Sequence, residues 1–102
     1  MASIIRGTTP TIKYTFAEVT VSELSAVYLT FRQNGKNVIE KDLSSGVIGD
    51  ADISWTLTQA ETLTLSAGNV SVMINWKLND GTRGASAKSA LVIEENHIPE
   101  VI

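Results

Sequence analysis

His97 is the only imidazole in the chain. It is therefore the only side chain that could act as the base of a Ser-His-Asp arrangement, and such a base has to be held rigidly by a third group. His97 lies close to Pro99 in the stretch Asn96-His97-Ile98-Pro99-Glu100-Val101-Ile102, which reads as an extended, loose C-terminal tail from about residue 95. An exposed tail residue is expected, and no enzyme activity. One histidine cannot build a zinc site, which takes three or four nitrogen or sulfur ligands, and the chain has no cysteine to supply the others. Asp50-Ala51-Asp52, next to the backbone of Gly49, could offer oxygen ligands to calcium. The wider Asp/Asn/Glu spacing of a calcium loop is missing, so a solvated loop is the expectation. Glycosidase chemistry would need two carboxylates roughly 5–9.5 Å apart in a cleft, and a small β-domain seldom provides the cleft. Gly81-Thr82-Arg83-Gly84 is too short for a phosphate loop and follows a turn instead of opening a helix. No catalytic residue, metal site or cofactor is expected.

Trp55 and Trp76 could stack on sugars if they stood on an open sheet face, which would make the domain a carbohydrate-binding module. Each shares a parity with aliphatic neighbours: Ile53 and Leu57 for Trp55, Ile74 and Leu78 for Trp76. Both are therefore expected in the core, with a partner for each indole N–H. Tyr14 and Phe16 read as core for the same reason. Tyr28 falls on the polar parity of its strand and is the better candidate for a contact surface.

These residues need elements to position them, and the chain supplies an odd-even rhythm. Val70, Val72, Ile74, Trp76 and Leu78 alternate with Ser71, Met73, Asn75, Lys77 and Asn79, the period of a strand with one dry face. Asp80-Gly81 follows as a hairpin signal. The same alternation runs through Thr11 to Phe16, Ala26 to Gln33, and Ile53 to Leu57. Asn34-Gly35 is a second hairpin signal, leading into an edge strand from Asn37 to Leu43 in which Val38 falls on the charged side. Ile4-Ile5-Arg6 makes a short strand of its own. Between strands, Ala17 to Ser25 reads as a connection with a turn of helix, Leu24 plugging the core end, and Ser44 to Asp52 as a loop. Thr58-Gln59-Ala60-Glu61 fits a capping box, predicting helix from Gln59 to about Leu63. Beyond Arg83, the small residues Gly84, Ala85, Ala87 and Ala90 leave room for a bulge or a close approach. About seven short strands and one helical turn predict an all-β, immunoglobulin-like antiparallel sandwich.

Length and composition agree. A chain of 102 residues with 43% hydrophobic and 19% charged residues suits one globular domain, not a disordered segment. The net charge is −3, and the eight Lys and Arg residues are scattered along the chain, so nucleic acid is not expected as a partner. The N-terminal Met1-Ala2-Ser3-Ile4-Ile5-Arg6-Gly7 lacks the long apolar core of a signal peptide. No apolar run approaches the ~20 residues of a membrane span. The product is expected to remain soluble in the cell that makes it.

Two groups of residues carry a resemblance. One is Ile5-Arg6-Gly7-Thr8. The other is Leu57-Thr58-Gln59-Ala60-Glu61-Thr62-Leu63, followed by Gly68, the valine-rich strand, Asp80-Gly81-Thr82-Arg83, Ser86 and a closing Leu91-Val92-Ile93. Together they resemble the small immunoglobulin-like domain at the N-terminus of phage baseplate upper proteins, and short prophage-encoded proteins built on that domain alone. The resemblance implies a virion structural component made in the bacterial cytoplasm, an adaptor that docks on other baseplate proteins and performs no catalysis. Larger members carry a receptor-facing segment or trimerising stalk after this domain, so docking is favoured here over receptor binding. Partner contacts are expected at an exposed sheet edge, at Tyr28, and along the tail, at Asn96, His97, Ile98, Val101 and Ile102. Exposed edges also make a homo-oligomer plausible.

Overall fold

The structure, a computed structural model, describes residues 2–102. In chain order its strands are β1 (Ala2–Ile5), β2 (Thr11–Thr15), β3 (Leu24–Gln33), β4 (Lys36–Asp42), β5 (Val47–Ile48), β6 (Asp52–Thr56), β7 (Gly68–Leu78), β8 (Arg83–Ala85) and β9 (Ser89–Glu94). One α-helix, α1 (Gln59–Leu63), joins β6 to β7, and short 3-10 turns cover Val21–Glu23 and Leu43–Ser45.

β7 is the middle of the larger sheet because its alternation gives it one dry face and two hydrogen-bonding edges. It pairs antiparallel with β3 on one side and with β8 and β9 on the other. β4 continues the sheet beyond β3, and β1 beyond β9, in the order β1-β9-β7-β3-β4. The second sheet has the order β2-β6-β5. The inward residues Val27, Leu29 and Phe31 of β3 meet Ile53 and Trp55 of β6, all fully buried together with Leu57 and Leu65. Two facing sheets with this strand order form an immunoglobulin-like β-sandwich.

Three details differ from the sequence expectation. Among the described residues there are nine strands instead of about seven, because Val47–Ile48 pairs with β6 and because the final strand is split in two. β1 runs parallel to β9, so the sandwich is antiparallel except at that pair. Val38 is partly buried against the core, because the β3–β4 register shifts beside Arg32. That bulge turns Val38 off the charged side.

The split of the last strand is also a bulge. Lys77 pairs with Arg83 and Asn75 with Ala85, but Val72 pairs with Ser89, so Ser86, Ala87 and Lys88 oppose two residues of β7. Ser86 keeps the ladder satisfied: its N–H donates to Ile74 O at 2.8 Å, and its Oγ accepts from Ile74 N at 2.9 Å. Both hairpin signals hold, with different turns. Asn34 and Gly35 both have positive φ, 55° and 78°, suiting a two-residue loop. At the other hairpin only Gly81 is left-handed, with φ 92°. Asp80 instead accepts the Thr82 N–H on Oδ1 at 2.8 Å, and that bond holds its carboxyl below the usual carboxylate range.

Candidate functional site

Tyr28 lies on the outer face of the larger sheet, as its parity predicts, and is 51% exposed. Its cross-strand neighbours are Asp42 on β4 and Asn75 on β7. On the β4 side it forms one wall of an open groove of about 520 Å³, whose lining includes Val27, Leu43, Gly46 and Ile48. Ile48 is exposed as well, and Val47 beside it is 73% exposed. The connection Leu43–Ser45 shapes this rim. Asp42 caps it, Oδ1 accepting from Ser44 Oγ at 2.7 Å and from Ser45 N at 3.2 Å. The Ser44 hydroxyl in particular holds the Asp42 carboxyl below its ordinary value. Asp42 O accepts the Trp55 Nε1–H at 2.9 Å, so the same residue closes the core beneath the groove. Sequence parity found Tyr28; it could not find Val47 and Ile48, which sit in a stretch too short to show a period.

The tail residues named by the sequence lie at a different place. Asn96 Nδ2 donates to Arg6 O at 2.9 Å, and Asn96 Oδ1 accepts from Ile98 N at 3.0 Å. Further on, the Gln59 amide brackets Ile102, accepting its N–H at 2.8 Å and donating to its O at 3.1 Å. The tail is thus tied to the body at two points, while Ile98, Val101 and Ile102 are left exposed, Ile102 at 87%. Asn96 is half-buried and His97 exposed. Tyr28 and the tail are not brought together. Asp50 is exposed in the turn after β5, and Asp52 pairs with Lys13 at 3.3 Å. Among the described residues no three His, Cys, Asp or Glu side chains gather where they could hold a metal ion.

Trp55 is fully buried. Trp76 is half-buried, with Phe16 edge-on at a ring distance of 5.3 Å and Tyr14 tilted at 6.0 Å. Among the described residues Trp76 Nε1 makes no hydrogen bond, contrary to the expectation that each indole N–H has a partner.

The two stretches that carry the resemblance touch each other. Arg6 donates from Nε to Leu65 O at 2.7 Å and from Nη2 to Leu63 O at 3.0 Å, covering carbonyls at the end of α1, and its Nη1 pairs with Glu95 at 3.2 Å. The fully buried Thr62 accepts the Gly7 N–H at 2.9 Å and donates to Thr8 O at 2.8 Å. α1 itself starts as the sequence predicts, with Thr58 and Glu61 exchanging the two capping-box bonds. These residues position the chain ends; they present no reacting group.

No family model matches the chain, and no curated protein matches it. Among solved structures, CopC from Methylosinus trichosporium OB3b superposes with a TM-score of 0.58 at 14% identity, over 95% of this chain and 86% of that one. Murine CRIg gives a TM-score of 0.48 at 10% identity, over 93% and 91%. Extracellular domains 3–5 of Drosophila OTK give 0.35 at 15%, over 93% of this chain and 32% of that one. At such identities the likeness to CopC is one of fold.

Proposed function

We propose that this domain is a non-catalytic joining piece that works through protein–protein contacts, and that its setting is the tail baseplate of a phage or prophage. The observation that carries the contact role is the groove between Tyr28 and Ile48, two large side chains left more than half exposed on the walls of one concavity. Exposed apolar surface gathered at a groove and rimmed by polar residues marks an interaction site. The rim is polar here, with Ser25, Asp42 and Ser44. The baseplate setting is supported by the resemblance in Ile5–Thr8 and Leu57–Leu63. The reading needs no cofactor.

Two measurements test it. Mass spectrometry of purified virions or induced prophage particles should find the chain, with its gene among tail-morphogenesis genes; absence from particles and a distant gene would end the baseplate assignment. In particle-binding assays, Tyr28→Ala and Ile48→Ser should each weaken docking, by ~30-fold for a residue worth ~2 kcal/mol at an interface centre. Docking unchanged by both would remove the groove from the proposal.

A further inference from the structure

The two sheets are unequal, and one margin of the smaller sheet stops short. β2, the strand at that margin, stands over β7, where Tyr14 and Phe16 meet Trp76, so β9 and β1 reach beyond it. The inward residues of β9 record how far the cover extends. Ile93, opposite Gly68, is 1% exposed, and Leu91 is half-buried. Ser89, on the same face opposite Val72, is exposed. Where the cover runs out there is an apolar hollow of about 190 Å³, walled by Ile12 and Tyr14 of β2, Val72 and Ile74 of β7, and Leu91 and Ser89 of β9. A second hollow of about 220 Å³ shares Tyr14 with it and continues to Phe16, Trp76 and Glu18. The two follow β2 from Ile12 to Phe16.

The lip of this slot is a row of unused main-chain groups. Among the described residues β2 pairs with β6 alone, and Thr11, Lys13 and Thr15 turn their N–H and C=O groups to the open side. An extended chain suits both features at once. It bonds to alternate residues of β2, and its own alternate side chains point down into the hollow. Charge then selects among extended chains. Lys13 stands in the middle of the lip, on the outer face, with its side chain 61% exposed and its ammonium 3.3 Å from Asp52 of β6. A second copy offering its own β2 in the full antiparallel register would set Lys13 against Lys13, a pairing that opposes the sheet. A strand with an acid at that place is attracted instead. Glu18 disfavours a further acid at the Phe16 end.

Resting on the reading of the domain as a joining piece, we infer that the β2 edge takes up an extended segment of a partner protein, which completes the smaller sheet as an added strand. The segment carries apolar side chains opposite Ile12 and Tyr14, where they fill the hollow, and an acid opposite Lys13. This contact lies apart from the groove at Tyr28, which opens on the β4 side of the larger sheet.

A tethered strand tests this on the full chain. The segment Thr-Val-Glu-Leu-Thr is fused ahead of Met1 through a flexible Gly/Ser linker of about ten residues, which spans about 17 Å. The attachment is near the slot, because Ala2 pairs with Leu91 on its floor. Hydrogen exchange followed by NMR reads the lip directly. In the wild type the amides of Thr11, Lys13 and Thr15 should exchange fast and those of Ile12 and Tyr14 slowly; the fusion should slow the first group by ~10-fold or more. A fusion with Lys in place of Glu should lose about fivefold of that protection, as for an opposed cross-strand charge worth ~1 kcal/mol. A fusion of the same composition without alternation, Val-Leu-Glu-Thr-Thr, should protect nothing and should dock on particles as the wild type does. The matched fusion, its slot already filled, should dock ~10-fold more weakly or worse, as for ~1.4 kcal/mol of lost contact. Wild-type lip amides that are already protected, a matched fusion that protects no better than the non-alternating one, a Lys fusion equal to the Glu fusion, or a matched fusion that docks as well as the wild type would each overturn the inference. A wild type that docks on no particle ends the baseplate setting instead, and exchange then decides the β2 edge alone.

Discussion

At Thr62 a single hydroxyl holds the beginning of the chain to the helix. Gly7, with φ 80°, turns its N–H onto Thr62 Oγ1, and Thr8 O takes the hydroxyl proton. Thr62→Val keeps the shape and removes both bonds. It should cost about 1–3 kcal/mol in urea unfolding, the net worth of two hydrogen bonds from a buried hydroxyl to a half-buried Gly7 and an exposed Thr8. Arg6→Lys should cost about 1–2 kcal/mol, because an ammonium cannot serve Leu63 O and Leu65 O with the fixed fork of a guanidinium. A third residue gives a pH dependence. Burial pushes the Glu61 carboxyl up, but the Lys41 hydrogen bond and charge and the Thr58 N–H outweigh it, so the group ionises below its ordinary value. A carboxylate depressed by folding contributes stability above its unfolded pKa and loses it as pH falls through the folded value. Wild-type stability should therefore fall below about pH 4.3, the unperturbed glutamate value, and the acid limb should be shallower in Glu61→Gln. Urea midpoints from pH 6 to pH 3, run side by side, measure the difference.

Among the elements, the legible ones were those long enough to show a period. β2, β3, β6 and β7 carry inward residues at every second position, and α1 carries its own start signal in Thr58 and Glu61. β5 was missed because two residues have no period; only its ladder with Ser54 and Ile53 makes it a strand. The small residues after Arg83 announced room without saying for what. The structure uses it twice, for the Ser86 bulge and for an indole: a Cβ on Gly84 would stand 2.5 Å from the Trp76 ring. Gly84→Ala should therefore cost about 1–3 kcal/mol through overpacking. The same change should move native tryptophan emission, since Trp76 must shift and Trp55 need not. Trp76 also ties the sheets together. Tyr14 and Phe16, at a ring distance of 4.8 Å and 81° to each other, bring β2 against β7 through that indole. Immunoglobulin domains of antibodies bridge their sheets with a disulfide, which a chain without cysteine cannot do.

For the whole molecule, what decides behaviour is which parts of the surface other chains can use. The candidate site shows how little of this a linear reading could reach. Tyr28 is visible from parity, whereas Arg32, Lys77 and Arg83 share one face only because β3, β7 and β8 lie side by side, a relation that spacing along the chain does not contain. Sheet edges raise the same question. The larger sheet ends in β1 and β4, and the smaller in β2 and β5. β5 is only two residues long, and β4 turns Lys41 toward Glu61, which it meets at 2.6 Å. β2 is the exposed case. Its bonds from Leu57 N to Pro10 O and from Phe16 N to Ala51 O fix the alternation, so Thr11, Lys13 and Thr15 aim their backbone groups at the open edge. Lys13 stands in the middle of that edge with its side chain 61% exposed, which makes it the charge that discourages a second chain from adding a strand there. Lys13→Val should leave the fold and its unfolding midpoint within about 0.5 kcal/mol of wild type, as expected for a surface change. It should nevertheless turn the protein aggregation-prone, with light scattering that grows with concentration and persists in high salt. That persistence separates strand addition from association through charges, which salt weakens. A variant as soluble as the wild type would show that β2 is guarded by something other than its lysine.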